Sequence, residues 1–129
     1  APLRWICSPA CMANLIGLYP DELEQLINEN IVLIDVRREN EFHATGIIKN
    51  SITLTFFDDL GNYDIEMWMN EFEKYVKSKD QKFVLICAHA NRTTVIGNFL
   101  IEQGYTNVAH LHGGITLWFD EGKETLAYK

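Results

Sequence analysis

Residues 83 to 104, FVLICAHANRTTVIGNFLIEQG, constrain the fold more than any other stretch. Phe83, Val84, Leu85 and Ile86 run unbroken into Cys87, and a short continuous apolar run reads as a strand buried on both faces of a parallel sheet. Beyond Cys87 the apolar residues Val95, Ile96, Phe99 and Leu100 fall at helical spacing, and Gly104 stands where a left-handed cap ends a helix. The pattern is strand, short loop, helix. Open α/β sheets bind ligands at the carboxyl ends of their strands, where Cys87 stands. The loop Ala88, His89, Ala90, Asn91 leads directly into a helix amino terminus, whose N–H groups favour a thiolate and any anion attached to it. Arg92 adds a fixed positive charge. These features together suit a nucleophilic sulfur acting on an anionic donor.

Four residues separate Cys87 from Arg92, a loop too tight to wrap a tetrahedral phosphate in the way of cysteine phosphatases, which use five. A phosphatase or arsenate reductase is therefore disfavoured. With LIDVRRENEF at 33–42, Gly46 and Ile48 in the next turn, CAHANRT at 87–93 and GYTNVAHLHGGITLW at 104–118, the chain resembles the rhodanese-like family in order and spacing over nearly everything after residue 15. The resemblance implies an α/β, three-layer fold, a five-stranded, mainly parallel sheet with helices on both faces. It also implies an active-site cysteine that takes sulfane sulfur as a persulfide and passes it to a thiophilic acceptor, a small thiol or a protein. A non-catalytic rhodanese-like module used for binding or sensing is the alternative, and the pairing of Cys87 with Arg92 argues against it.

The 129 residues suffice for one domain with its own core, here residues 15–129 after an irregular arm at 1–14 that holds two of the three prolines. A formal charge of −7 without a basic stripe argues against nucleic acid as a partner. No apolar run approaches the roughly 20 residues that span a bilayer, so no membrane partner is expected. Three cysteines make no disulfide framework, and no metal or other cofactor is expected. The expected location is cytoplasmic; the absence of an initiator Met would also fit a processed signal peptide, a periplasmic home and a Cys7–Cys11 pair.

Along the chain, Leu15 to Leu18 reads as an edge strand, Asp21 to Glu29 as a helix opened by Pro20, and Ile31 to Val36 as a strand. Glu39 to Ala44 is a short helix broken at Gly46, and Ile52 to Leu54 a short strand. Asp64 to Lys77 is expected to be the longest helix, with Trp68, Phe72, Tyr75 and Val76 as its buried stripe. Asn107 to Leu111 is the last strand. The pair Gly113 and Gly114 then allows a close passage before a helix carrying Ile115, Leu117 and Trp118, and the tail from Asp120 either frays or adds a terminal helix.

Cys87 is the expected nucleophile, and Arg92 the expected loop organiser and second contact for the donor anion. Arg92 would either meet the donor or turn back to a carboxylate such as Asp35. Backbone N–H groups of Ala88, His89, Ala90, Asn91 and Arg92 would cradle the persulfide, with Thr93 completing the loop. Ala90 stands where the family often has glycine, so a positive φ there would be strained. The His89 side chain either tunes donor choice and pH response or faces solvent. Asp35 and Arg37 match the family's Asp-Val-Arg motif, and Glu41 follows Arg37 at the spacing of a helical ion pair. These three are supporting residues, more structural than catalytic. His112, beside the glycine pair, is expected to line the pocket; His110 is expected to be structural, and His43 a surface residue.

Overall fold

The computed structural model describes residues 14–128. Cys7, Cys11 and Trp5, and with them the proposed disulfide pairing and nearly all of the arm, lie outside the described residues. In chain order the elements are β1 (Ile16–Leu18), α1 (Pro20–Ile27), β2 (Val32–Asp35), α2 (Glu39–Thr45), β3 (Ser51–Thr53), α3 (Ile65–Phe72), β4 (Phe83–Ile86), α4 (Asn91–Glu102), β5 (Val108–Leu111) and α5 (Gly114–Asp120). The five strands form one sheet in the order β1-β5-β4-β2-β3, with every neighbouring pair parallel. From β2 the chain moves outward to β3, then crosses back to β4 and continues to β5. The reversal therefore lies between β2 and β4, and the carboxyl ends of those strands are where open α/β sheets bind their ligands.

Alternation along the strands sorts the core into two layers. Ile34, Phe83, Leu85, Cys87 and Val108 pack with Trp68 and Phe72 of α3 and Ile96 and Leu100 of α4. Leu33, Val84, Ile86, Ala109 and Leu111 pack on the other face with Leu23 and Ile27 of α1 and Ile115 and Trp118 of α5. Both faces of the sheet are covered, and for this reason β4 is apolar at every position. Each fully buried ring, such as Phe72 against Phe83 at 5.0 Å between centroids, contributes roughly 1.5–3 kcal/mol of burial.

Local chemistry sets the ends of the helices. Pro20 opens α1, where its missing N–H costs nothing, and the Glu22 carboxylate accepts the Tyr19 N–H at 3.0 Å. Asp64 caps α3 by accepting the Met67 N–H at 3.1 Å. Contrary to the sequence expectation, α3 is not the longest helix; α4, with 12 residues, is longer than α3, with eight. After Phe72 the chain tightens into turns, and the Gln81 side chain accepts from Lys77 N and donates to Tyr75 O, which draws the segment away from the helix axis. Tyr75 is accordingly 40% exposed and lies outside the buried stripe expected of it, and on α4 Val95, one of the apolar positions at helical spacing, is 60% exposed.

The tail neither frays nor adds a helix. Leu126 bridges Ile47 in antiparallel fashion, the Thr125 hydroxyl donates to Thr45 O at 2.7 Å, and the Tyr128 ring meets Phe42. Among the described residues no helix is long and apolar enough to cross a membrane.

Candidate active site

Cys87 directly follows β4, with its side chain on the α4 face of the sheet. It is 1% exposed. The chain leaves the strand through Ala88 and His89, and Ala90 then turns into the left-handed region at φ 71° and ψ 4° to start α4. No described residue accepts a hydrogen bond from the N–H groups of residues 88, 89 or 90. The N–H groups of Asn91, Arg92 and Thr93 open α4, where no intrahelical carbonyl precedes them. The result is a run of unpaired donors directly after the sulfur in the chain, the kind of backbone from which anion sites are made.

An alanine with positive φ is strained, since its Cβ crowds the following carbonyl at a cost of roughly 1–2 kcal/mol. Ala90→Gly is expected to stabilise the fold by up to about 1 kcal/mol, the relief exceeding the added flexibility of the unfolded chain. A urea melt checks this, and a loss of stability would show that the Ala90 methyl packs usefully. The Ala90 carbonyl accepts from Thr94 N at 3.2 Å and from the Thr94 hydroxyl at 2.7 Å, which locks the turn.

The second support comes from α5. Gly113 and Gly114 both have positive φ, and the helix they begin places Ile115 N 2.9 Å from Cys87 O and Thr116 N 3.1 Å from Ala88 O. A Cβ on Gly114 would overlap the Ala88 carbonyl. The close passage expected of the glycine pair is thus made against the sulfur loop.

The third support is ionic: Arg92 turns back to a carboxylate, one of the two courses expected for it. The carboxylate is not Asp35 but Glu41 of α2, in a two-pronged pair at 2.7 and 2.7 Å. Glu41 does not pair with Arg37 at helical spacing, because Arg37 is already taken. Arg37 leaves the end of β2 buried and lies along Asp35, with Nε–Oδ1 at 2.9 Å and Nη2–Oδ2 at 2.7 Å. Its remaining donors reach Thr45 Oγ1 at 2.6 Å and Gly46 O at 2.8 Å, while Glu41 offers it only a distant main-chain carbonyl at 3.5 Å. A helical i, i+4 pair needs both side chains on the helix, and Arg37 precedes α2. The Asp35–Arg37 pair therefore anchors the carboxyl end of α2, and α2 presents Glu41 to Arg92.

Hydrogen bonds from Arg92, aided by the nearby charge, hold the Glu41 carboxyl below the ordinary value of 4.5. Its contribution to stability is complete above 4.5 and is lost as pH falls through the lowered folded value. Glu41→Gln is expected to remove that step from an acid titration of stability and to leave the neutral side unchanged in shape. An identical acid limb in the variant would count against the pair. Asp35 moves the opposite way, since burial pushes its carboxyl up against the pull of the Arg37 hydrogen bonds.

The remaining candidates divide differently from the expectation. His89 is exposed. His112 is exposed as well; its ring lies against Tyr19 at 4.6 Å and its N–H donates to Leu18 O, which places it at the β1 edge. His110, expected to be structural, is the one joined to the sulfur. Its Nδ1 lies 2.7 Å from Thr93 Oγ1, which lies 3.6 Å from Cys87 Sγ. Alternation already places residues 108, 110 and 112 on one face, but the register that sets His110 beside Leu85, one step from Thr93 and Cys87, appears only in the sheet.

Residues 19–121 match the family model for the rhodanese-like domain. The chain belongs to the rhodanese-like family. A thiosulfate sulfurtransferase of Pseudoalteromonas translucida is 32% identical over 96 residues, covering 74% of this rhodanese-like chain and 80% of that protein. A tRNA uridine(34) hydroxylase of Acinetobacter baumannii is also 32% identical, over 119 residues and 84% of this chain, but this chain spans only 33% of that longer protein. Among solved structures, a rhodanese-related protein of Thermoplasma volcanium superposes with a TM-score of 0.67 at 26% identity, covering 88% of this chain and 99% of its own. The polysulfide-sulfur transferase of Wolinella succinogenes, a homodimer, does so with 0.67 at 27% identity, covering 87% and 78%. The family and the five-stranded α/β architecture thus agree with what the motifs implied.

Proposed function

We propose that the protein is a sulfurtransferase that loads sulfane sulfur onto Cys87. The observation that carries this reading is the cradle of unpaired N–H groups at residues 88 to 90 beside a thiol, braced by Arg92 and by α5. Its similarity over most of both chains to a thiosulfate sulfurtransferase supports the same reading. The Cys87 thiolate attacks the outer sulfur of thiosulfate, the S–S bond of the donor breaks with its electron pair going to sulfite, and a persulfide remains on Cys87. A polysulfide donor reacts in the same way with a shorter polysulfide as leaving group. The loop N–H groups stabilise both thiolate and persulfide, and Arg92, held by Glu41, keeps the loop in shape and adds positive charge for the anionic donor. A thiophilic acceptor, a small thiol or a protein, then takes the outer sulfur. Asp35 and Arg37 act at one remove, through α2.

The burial of Cys87 favours one competing reading, a rhodanese-like module that binds without transferring sulfur, because a packed thiol behaves as a small hydrophobe. Intact mass separates the two. Reduced protein exposed briefly to thiosulfate or polysulfide is expected to gain one sulfur that cyanide removes, and the Cys87→Ser variant to gain none at that position. Folded protein with a free Cys87 thiol that gains nothing from either donor would leave only the binding module.

A further inference from the structure

Thr93 Oγ1 sits among three polar atoms: His110 Nδ1 at 2.7 Å, Ala90 O at 3.2 Å and Cys87 Sγ at 3.6 Å. A hydroxyl has one hydrogen to give and two lone pairs. The Thr93 hydroxyl can donate to the Ala90 carbonyl at 3.2 Å, but that carbonyl also receives both the N–H and the hydroxyl of Thr94, so this third and longer bond is the one that yields when the Thr93 hydrogen goes to the histidine or to the sulfur. Which of them receives it depends on the state of Cys87. A thiol donates S–H to Oγ1, and Thr93 then donates to an unprotonated Nδ1. A thiolate can only accept, so the Thr93 hydrogen must turn to the sulfur, and Nδ1 must then carry a proton and donate to Oγ1.

We propose that His110 is a positioning residue and proton relay for Cys87, acting through the Thr93 hydroxyl. This deepens the sulfurtransferase reading and rests on it for the role of Cys87. On ionisation the S–H bond breaks and its proton passes to Oγ1 as the former Thr93 proton passes to Nδ1. The transient imidazolium then releases its Nε2 proton to water. The net change is one proton lost, Cys87 as thiolate and His110 in the opposite neutral tautomer. His110 is only half-buried, which leaves the imidazole an exit to water, and its Nε2 lies 3.9 Å from the point that a Cβ on Gly17 of β1 would occupy.

The groups around this relay are few among the described residues. On its own strand His110 has His112, whose Nδ1 lies 3.7 Å from the same point beside Gly17; from α4 it has Thr93. At the sulfur end the charge nearby is Arg92, with Glu41 of α2 and Asp35 of β2 acting on it in turn. Burial, with His112 acting in the same direction, holds the imidazole below its ordinary 6.5, so it stands neutral at pH 7 and is free to exchange tautomers.

The test is a pH titration of the full chain with ¹⁵N-labelled histidine and ¹³C-labelled cysteine, followed by NMR. As the Cys87 Cβ signal reports ionisation, His110 Nδ1 is expected to change from unprotonated to protonated, and to show no such step in Cys87→Ala. An Nδ1 signal that stays constant while Cys87 ionises would overturn the relay. This measurement uses no sulfur donor, so its failure is distinguishable from failure of sulfur transfer. In persulfide formation from thiosulfate, His110→Phe and Thr93→Val are each expected to slow the reaction about tenfold at pH 7 and to move the pH–rate profile upward. The double variant should be no slower than either single one, and Thr93→Ser should restore the rate. Folded variants that keep the parental pH–rate profile would also overturn the proposal. Should His110→Phe not fold, Thr93→Val and the titration of the unaltered protein decide.

Discussion

Arg37→Met is expected to destabilise the protein by about 3–5 kcal/mol, the cost of leaving a buried carboxylate without its partner. Asp35 is 0% and Arg37 1% exposed, so no solvent is at hand to take over the lost hydrogen bonds. Burial already pushes the Asp35 carboxyl up with the guanidinium in place, and without it the group must either take a proton or stand as an uncompensated charge in the core. The damage also spreads, because the same guanidinium holds Thr45 Oγ1 and Gly46 O at the end of α2. With α2 loosened, Glu41 no longer holds Arg92, and the sulfur loop loses its ionic brace. A double variant, Asp35→Asn with Arg37→Met, is expected to be more stable than Arg37→Met alone, since an amide costs less to bury unpaired than a carboxylate. Denaturant unfolding of the three proteins tests this. An Arg37→Met variant within about 1 kcal/mol of the parent would show that the pair contributes little to the fold.

The second large effect is expected at Gly114. An alanine there takes on the strain of a positive φ, at 64°, and also drives its Cβ into the Ala88 carbonyl. Backbone strain of roughly 1–3 kcal/mol and overpacking of similar size add to about 2–6 kcal/mol. Relief requires α5 and the loop to separate, which breaks the Ile115 N–Cys87 O and Thr116 N–Ala88 O bonds. Gly114→Ala is therefore expected to lower the melting temperature and, in whatever fraction stays folded, to slow the sulfur uptake proposed for Cys87 because the loop is displaced. Gly122→Ala is the control: its φ is also positive, but nothing lies within 4 Å of the added Cβ. Equal losses in the two variants would mean that backbone strain alone acts at Gly114 and that the contact with the loop is unimportant.

The parts of this protein legible in its sequence are those that rest on local chemistry. An apolar run as short as Phe83–Ile86 has few ways to be buried except as a central strand, and the helical spacing after Cys87 announces α4. Pro20, Gly104 and the Gly113–Gly114 pair mark their turns because φ restriction and φ freedom are properties of single residues. Even the strain at Ala90 follows from a residue type set against a backbone need. Pairings between distant side chains are another matter. Arg92 chooses Glu41, 51 positions away, rather than Asp35, because Arg37 has already enclosed Asp35 where neither can reach water. His110 meets Thr93, and not His112, because the parallel register of β4 and β5 brings that position beside the start of α4. The sequence by itself determined the order of strands and helices and the place of the sulfur, since each depends on periodicity or on one residue's backbone, while the five-stranded sheet was what the family resemblance implied. Only the tertiary structure decided which charges and hydroxyls surround that sulfur, because partners are selected by competition among groups that folding brings within about 3 Å of one another.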